Sequence, residues 1–312
     1  MLTVIVPAYN EEAAISLCAR RVAEVLDREA IPFELLFVDD GSRDGTWRAI
    51  SALCTESRRI RGLRFSRNFG KEAAMFAGLE KAAGDCCAVM DCDMQHPPEK
   101  LPEMYRLWEQ GVQVVEGVKE DRGTETPLHR FAARRFYGIL SGATGFDLQD
   151  ASDFKLLDRQ VVDALNAMPE RSVFFRALSH WVGFRRAAVS YRVEERSAGQ
   201  SKWSAGALVS YALRNIASFS AAPMQVVTWV GAFFLLFSVI LGIQTLVRLL
   251  TGNAAEGFTT VILVQLFSAS LVLLSLGIIG FYIARIYEEL KGRPRYIIAE
   301  ERNASAAKDS AS

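Results

Sequence analysis

The sequence predicts an α/β fold: a mostly parallel sheet with helices on both faces, followed by a C-terminal two-helix transmembrane hairpin. Three observations predict it. Short apolar runs alternate with helix-period segments between residues 3 and 118, as in parallel strands joined by crossover helices. Two long stretches carry no charge, residues 215–247 and 257–284. Polar clusters fall at the ends of the short apolar runs, where open parallel sheets bind ligands.

The elements follow in order. Residues 3–6 are a short apolar strand, and 12–28 have helical periodicity. Residues 33–38 form a second strand that ends at Asp39-Asp40-Gly41-Ser42, and 44–54 read as a helix. A third strand spans 60–65. A helix spans 71–83 and is closed by Gly84. Residues 86–90 are a fourth strand, ending at Asp91. The helix at 97–110 opens on Pro97 and Pro98, residues suited to a first helical turn. Residues 112–118 are a further strand. No internal repeat is visible.

Composition narrows the function classes. The chain has 312 residues, half of them apolar and 23% charged, which excludes a disordered chain. Its 36 basic and 36 acidic side chains cancel, which argues against a general nucleic-acid binder. The zero hides an asymmetry. Residues 1–120 hold 15 basic and 20 acidic side chains, whereas residues 121–222 hold 14 basic and 10 acidic. All five cysteines lie in the first third without a C-x-x-C pair, so buried free thiols are expected rather than disulfides or zinc. The opening residues show no basic segment or cleavage site of a signal peptide.

The uncharged stretches exceed the roughly 20 residues that cross a bilayer, and soluble helices rarely stay apolar on every face. Gly252 and Asn253 supply a turn between them. Arg185, Arg186, Arg192, Arg196, Lys202 and Arg214 precede the pair, and Arg285, Lys291, Arg293 and Arg295 follow it. The positive-inside rule places both flanks in the cytoplasm. The expected organisation is a cytosolic domain over 1–203 and a juxtamembrane amphipathic segment over 204–222. Transmembrane helices over 223–250 and 257–287 follow, then a cytosolic tail over 288–312, disordered beyond Ile298.

The strongest chemical signal is Asp91-Cys92-Asp93-Met94-Gln95-His96. An apolar strand delivers two carboxylates, one residue apart, into a loop. That spacing suits a hard divalent cation, which takes one or two carboxylates and completes its shell with water and phosphates. His96 reads as a polar loop residue before Pro97 rather than a ligand. Asp39 and Asp40 can accept hydrogen bonds from a nucleobase or ribose, or can cap the following helix. The turn after the first strand, from Pro7 to Glu12, can line a pocket. Neither a G-x-G-x-x-G fingerprint nor a Walker A pattern occurs.

The joint order of five clusters is specific. These are Val4-Ile5-Val6-Pro7-Ala8-Tyr9-Asn10-Glu11-Glu12, Val38-Asp39-Asp40-Gly41-Ser42-Arg43-Asp44-Gly45-Thr46, and Ser66-Arg67-Asn68-Phe69-Gly70-Lys71-Glu72-Ala73-Ala74. Asp91-Cys92-Asp93-Met94-Gln95-His96-Pro97-Pro98-Glu99 and Arg196-Ser197-Ala198-Gly199-Gln200-Ser201-Lys202-Trp203 complete them. Together they resemble family 2 glycosyltransferases, in the branch of dolichol-phosphate mannose synthases and bactoprenol glucosyltransferases, over about residues 1–220, with the paired C-terminal helices extending it to about 290. The resemblance implies a GT-A fold, a nucleotide-sugar donor, a polyprenyl phosphate acceptor and a Mg2+ or Mn2+ cofactor. It maps the metal to Asp91, Asp93 and Gln95. Nucleotide contacts map to Pro7, Ala8, Tyr9, Glu11, Asp39, Lys71, Asp91 and Cys92. Catalytic roles map to Asp93, Asp153, Arg196 and Lys202, and lipid-phosphate contacts to Arg122, Arg130 and Arg134. Arg134 stands where some mannose synthases have serine.

The reading is inverting sugar transfer to undecaprenyl phosphate at the cytoplasmic face of a bacterial inner membrane. UDP-glucose is the first-choice donor. GDP-mannose, UDP-GlcNAc and UDP-formylated aminoarabinose are the alternatives. A homo-oligomer is expected, with a tetramer favoured. A processive polysaccharide synthase is disfavoured because no Q-x-x-R-W motif occurs. A catalytically inactive membrane scaffold is disfavoured by the intact Asp91, Asp93, Arg196 and Lys202.

Overall fold

A computed structural model describes residues 1–119, 152–168, 170, 174–192, 222–251 and 258–303. The chain divides into two units, Met1–Ser204 with Pro294–Ser312, and Ala205–Arg293.

Among the described residues, the first unit is built on an eight-stranded sheet of order β7-β5-β6-β4-β1-β2-β3-β8. The strands are β1 (Leu2–Ala8), β2 (Phe33–Asp39), β3 (Ile60–Phe65), β4 (Cys86–Val89), β5 (Val114–Lys119), β6 (Lys155–Asp158), β7 (Arg186–Tyr191) and β8 (Ile298–Arg302). Only β6 and β8 run against the others. The mostly parallel sheet expected of a GT-A fold is therefore present, with β6 inserted antiparallel between β4 and β5. β1 and β2 are buried along their whole length, because helices cover both faces.

Alternation along β1 sorts those helices. Leu2, Val4, Val6 and Ala8 join one core with α1 (Glu12–Arg28), α2 (Thr46–Glu56) and α4 (Leu101–Glu109). α1 reaches it through Ile15, Cys18, Ala19, Val22 and Leu26, a spacing that puts all five on one helical stripe. On the opposite face α3 (Lys71–Lys81) lies against β1. A Cβ at Gly78 would stand 2.2 Å from Ile5 Cγ2, so glycine permits that close approach. α5 (Arg159–Asn166) joins α3 through the Asn166 amide, which donates to the Leu79 carbonyl. All five cysteines are buried free thiols, as composition suggests.

The region beyond Ile298, expected to be disordered, instead forms β8 through Arg302. Its charges find partners on β3 and α2: Glu300 accepts from Arg64 at 2.9 Å and from the Trp47 indole at 3.1 Å, and Glu301 pairs with Arg61. Ahead of it, Tyr296 stacks on Phe65 with ring centroids 5.0 Å apart. β8 covers the edge that β3 would otherwise expose.

The second unit contains α7 (Ala222–Leu250) and α8 (Phe258–Leu290). Within them Val227–Arg248 and Val264–Leu290 have mean hydropathies of 2.3 and 2.2 and are long and apolar enough to cross a membrane. At 1.5 Å per residue the two helices run about 44 and about 50 Å, more than the roughly 30 Å apolar core of a bilayer. Large apolar side chains such as Trp229, Leu235 and Leu273 are exposed. The hydroxyls of Thr245, Ser268, Ser270 and Ser275 each donate to the carbonyl four residues earlier at 2.8 Å. Polar groups satisfied within their own helix suit an apolar solvent. Phe234 and Phe267 pack between the helices at 5.1 Å. The expected juxtamembrane segment and the Gly252-Asn253 turn lie outside the described residues.

Candidate active site

The ends of β1, β2, β3 and β4 build the site. After β1, Asn10 adopts a left-handed φ of 56°. Its N–H donates to Ser42 Oγ at 2.9 Å and its Oδ1 accepts from the Arg43 N–H at 3.0 Å. The Glu11 N–H donates to Thr46 Oγ1 at 2.9 Å. These bonds lace the loops after β1 and β2 into one rim, with Tyr9 exposed on it and Pro7 and Ala8 within β1.

The two acids at the end of β2 separate in role. Asp40 accepts the N–H groups of Phe69 and Gly70 at 2.6 and 2.9 Å, and so fixes the turn that starts α3. Asp39 accepts the Ser42 N–H at 2.9 Å through Oδ1. Its Oδ2 is buried without a hydrogen-bond partner among the described residues, and Arg64 Nε stands 3.5 Å away. Burial pushes both carboxyls above the ordinary aspartate range. An unsatisfied buried acceptor is costly, and at a strand end it is suited to a ligand N–H or O–H.

Gly41 makes this turn possible. Its φ is +68°, and a Cβ would stand 2.4 Å from the Arg67 backbone carbonyl carbon. Gly41→Ala is expected to destabilise the protein by about 2 kcal/mol. Thermal unfolding should show a melting point lowered by several degrees, and an unchanged one would contradict the close packing.

At the centre, Lys71 opens α3 and reaches two acids. Its Nζ lies 2.6 Å from Asp91 Oδ1 and 2.8 Å from Asp153 Oδ2. Asp153 precedes β6, and Arg176 on α6 (Phe175–Trp181) grips it with Nε to Oδ1 at 2.7 Å and Nη2 to Oδ2 at 3.0 Å. Burial opposes these charges, but the pairings prevail. Asp91 and Asp153 are held below the usual carboxylate range, and Lys71 is held above the usual amine range. Beside them Glu72 accepts the Phe175 N–H at 3.0 Å, and burial together with Asp153 pushes its carboxyl up to about 7.

The turn after β4 is pinned from behind. His96 is buried, with Nδ1 accepting the Asp91 N–H at 2.9 Å. Its ring stacks on Phe154 at 5.0 Å and meets Tyr191 edge-on at 6.0 Å. It therefore serves as the loop residue the sequence suggests. Asp93 Oδ1 accepts the Gln95 N–H at 3.1 Å, across Met94 with its left-handed φ of 62°. The Cys92 side chain is buried in the core.

The donor set suits a hard cation. Asp91 and Asp93 are two half-buried carboxylates in one turn, with Gln95 beside them, and magnesium-type ions ask for one or two. No group of three or more His, Cys, Asp or Glu ligands occurs among the described residues.

Of the sequence-predicted site, the structure brings Lys71, Asp91 and Asp153 into contact. Arg122, Arg130, Arg134, Arg196 and Lys202 lie outside the described residues. Sequence reasoning missed Glu72 and Arg176. Glu72 stands next to Lys71 inside a recognised cluster, a signal that was available. Arg176 has no motif around it.

Sequence comparison gives the family of the chain. Glycosyl transferase family 2 matches residues 3–164, from β1 into α5. The chain is a glycosyltransferase. It belongs to glycosyl transferase family 2, as the five clusters imply. An uncharacterized glycosyltransferase of Bacillus subtilis is 37% identical over 302 residues, covering 95% of this chain and 92% of the relative. The bactoprenol glucosyl transferase of Shigella phage SfV is 36% identical over 303 residues, covering 96% of this chain and 99% of that protein. Among solved structures, glucosyl-3-phosphoglycerate synthase from Mycobacterium tuberculosis with Mg2+ and uridine-diphosphate matches with a TM-score of 0.49 and 22% identity. That match covers 70% of this chain and 77% of the other.

Proposed function

We propose that this protein transfers glucose from UDP-glucose to undecaprenyl phosphate, with inversion, at the cytoplasmic face of a bacterial inner membrane. The observation that carries the reading is the Lys71–Asp91–Asp153 cluster at the strand ends of a chain that also bears two helices of membrane-spanning length. The name of the phage relative supports glucose and a bactoprenol acceptor. Other donors remain the alternatives named above.

In this reaction an acceptor phosphate oxygen attacks the anomeric carbon. The bond from that carbon to the donor diphosphate breaks, and the electron pair leaves with the nucleoside diphosphate. The acceptor is already an anion near neutral pH, so it needs alignment more than deprotonation. Asp153, held charged by Lys71 and Arg176, suits positioning rather than proton removal. Asp39 Oδ2 is assigned to the nucleobase and the laced β1–β2 rim to the ribose side. Asp91, Asp93 and Gln95 would hold Mg2+ or Mn2+. Bound there, that ion would neutralise charge growing on the leaving diphosphate. Arg196 and Lys202 are assigned to the phosphates, Arg as a fork and Lys as a point charge. Arg122, Arg130 and Arg134 are assigned to the lipid phosphate.

A membrane anchor follows from the acceptor. Each methylene drawn from the bilayer into water costs about 0.8 kcal/mol, so the site must come to the lipid. The two apolar helices would provide that, with catalytic domain and termini on the cytoplasmic side and a tetramer as the favoured assembly.

The test uses the full-length protein in lipid nanodiscs with undecaprenyl phosphate and a panel of labelled nucleotide sugars. Mass spectrometry should find a lipid-linked monophosphate hexose with UDP-glucose. Failure to form a lipid-linked sugar with any donor would overturn the reading, and product with another donor alone would reassign the sugar.

A further inference from the structure

We infer that Lys71 couples metal binding to nucleotide binding: its ammonium stays between Asp91 and Asp153 until a diphosphate draws it away. The inference rests on the nucleotide-sugar reading of the site and deepens it.

The positive charge between Asp91 and Asp153 in this structure is the Lys71 ammonium, at 2.6 and 2.8 Å. A magnesium-type ion needs carboxylate oxygens at about 2.0–2.1 Å. Such an ion on Asp91 would stand against an ammonium already in contact with the same carboxylate. Asp93, the other acid of the turn, makes no ion pair among the described residues and is held only by the Gln95 N–H. The competition is therefore confined to Asp91. An ion arriving alone must displace or repel Lys71. An ion arriving with a diphosphate brings negative charge that can take the ammonium over.

Arg176 makes the exchange feasible. Its fork holds both Asp153 oxygens, at 2.7 and 3.0 Å. When Lys71 leaves, Asp153 keeps a cationic partner, so no buried carboxylate is stranded. α6, which carries Arg176, is itself anchored at its start by Glu72 and further along by Ser179, which accepts from the buried Lys155 at 2.7 Å. Lys71 is the movable cation of the cluster and Arg176 the fixed one. Coupling of this kind is reciprocal: the nucleotide must tighten the metal by the factor by which the metal tightens the nucleotide.

The test is Mn2+ titration of the purified full-length protein by electron paramagnetic resonance, with and without UDP. Wild type should bind Mn2+ weakly alone and at least about tenfold more tightly with UDP. Lys71→Met should bind Mn2+ about tenfold more tightly than wild type without nucleotide, and UDP should tighten it by a smaller factor than in wild type. Lys71→Gln serves as a second neutral variant, and Lys81→Met, at the far end of α3, should behave as wild type. Unchanged Mn2+ affinity in both neutral variants, with UDP enhancing them as it does wild type, overturns the coupling while leaving the nucleotide site intact. Weaker UDP binding in the variants with no change for Mn2+ alone would make Lys71 a plain phosphate contact, and also overturns it. Absence of any UDP or GDP binding to wild type would overturn the nucleotide reading together with the coupling.

Discussion

Asp93→Ala is expected to lower sugar transfer by about a thousandfold or more, on the order of 4 kcal/mol of transition-state stabilisation, in a protein that stays folded. The separation of effects follows from where Asp93 sits. It lies outside the Lys71–Asp91–Asp153–Arg176 cluster, and among the described residues its side chain is held by a turn contact, accepting from the Gln95 N–H. Losing that turn bond costs about 1 kcal/mol. The cluster keeps every pairing it has. Asp91→Ala is a poorer experiment, because it removes the partner of Lys71 and confounds metal loss with a changed charge network. The measurement is the initial rate of lipid-linked product at saturating Mg2+ or Mn2+, with thermal unfolding alongside. Full activity of Asp93→Ala in excess EDTA would overturn the metal assignment.

Lys155→Ala is expected to cost about 3–5 kcal/mol of stability, the usual result of breaking a buried ion pair by removing one partner. Lys155 is fully buried, with Nζ 2.8 Å from Glu116 Oε1 and 2.7 Å from Ser179 Oγ. Glu116 also meets His180 at 3.2 Å and accepts the Ser152 N–H at 3.0 Å. Burial works against the Glu116 charge, but His180 and Lys155 outweigh it and hold the carboxyl down at about 2. Its unfolded value is near 4.5. A depressed carboxyl stabilises fully above the unfolded value, and that contribution is lost as pH falls from about 4.5 toward about 2. Without Lys155 the folded value rises, so the acid-sensitive part of stability should shrink. Thermal unfolding followed by tryptophan fluorescence should show a melting point lower by about 10 °C at neutral pH. The gap between variant and wild type should narrow toward pH 3. A gap independent of pH would mean that packing, not the ion pair, supplies the stability.

This network shows where the sequence is legible. β1, β2 and β4 are short, mostly apolar runs, readable to within two residues because both faces of those strands are buried, whereas β3 is readable from Ile60, Leu63 and Phe65, with Arg61 and Arg64 half-buried between them. β6 is not. Lys155 occupies its first position, and a lysine in a four-residue segment gives no sign that Glu116, in register on β5, neutralises it. β8 is Ile-Ala-Glu-Glu-Arg, and its charges are satisfied by Arg61, Arg64 and Trp47 from distant segments. The site divides similarly. Strand-end acids announce themselves by position, whereas sequence could not say that Asp40 pins a loop while Asp39 leaves an oxygen unsatisfied. Arg176 reaches Asp153 across 23 residues of sequence, and no local pattern marks such a partner.

β8 also sets a schedule. It is synthesised after both apolar helices, yet it joins a sheet whose other strands, among the described residues, all precede them. While the chain is being made, β3 waits with an open edge, and the catalytic domain is unfinished until the last strand emerges. Release of a finished enzyme is thereby tied to prior passage of the apolar segments through the ribosome. A chain cut short within those segments would carry an exposed edge strand, the feature that favours aggregation. The late strand thus acts as a seal on biosynthesis, closed only when both apolar helices have been made.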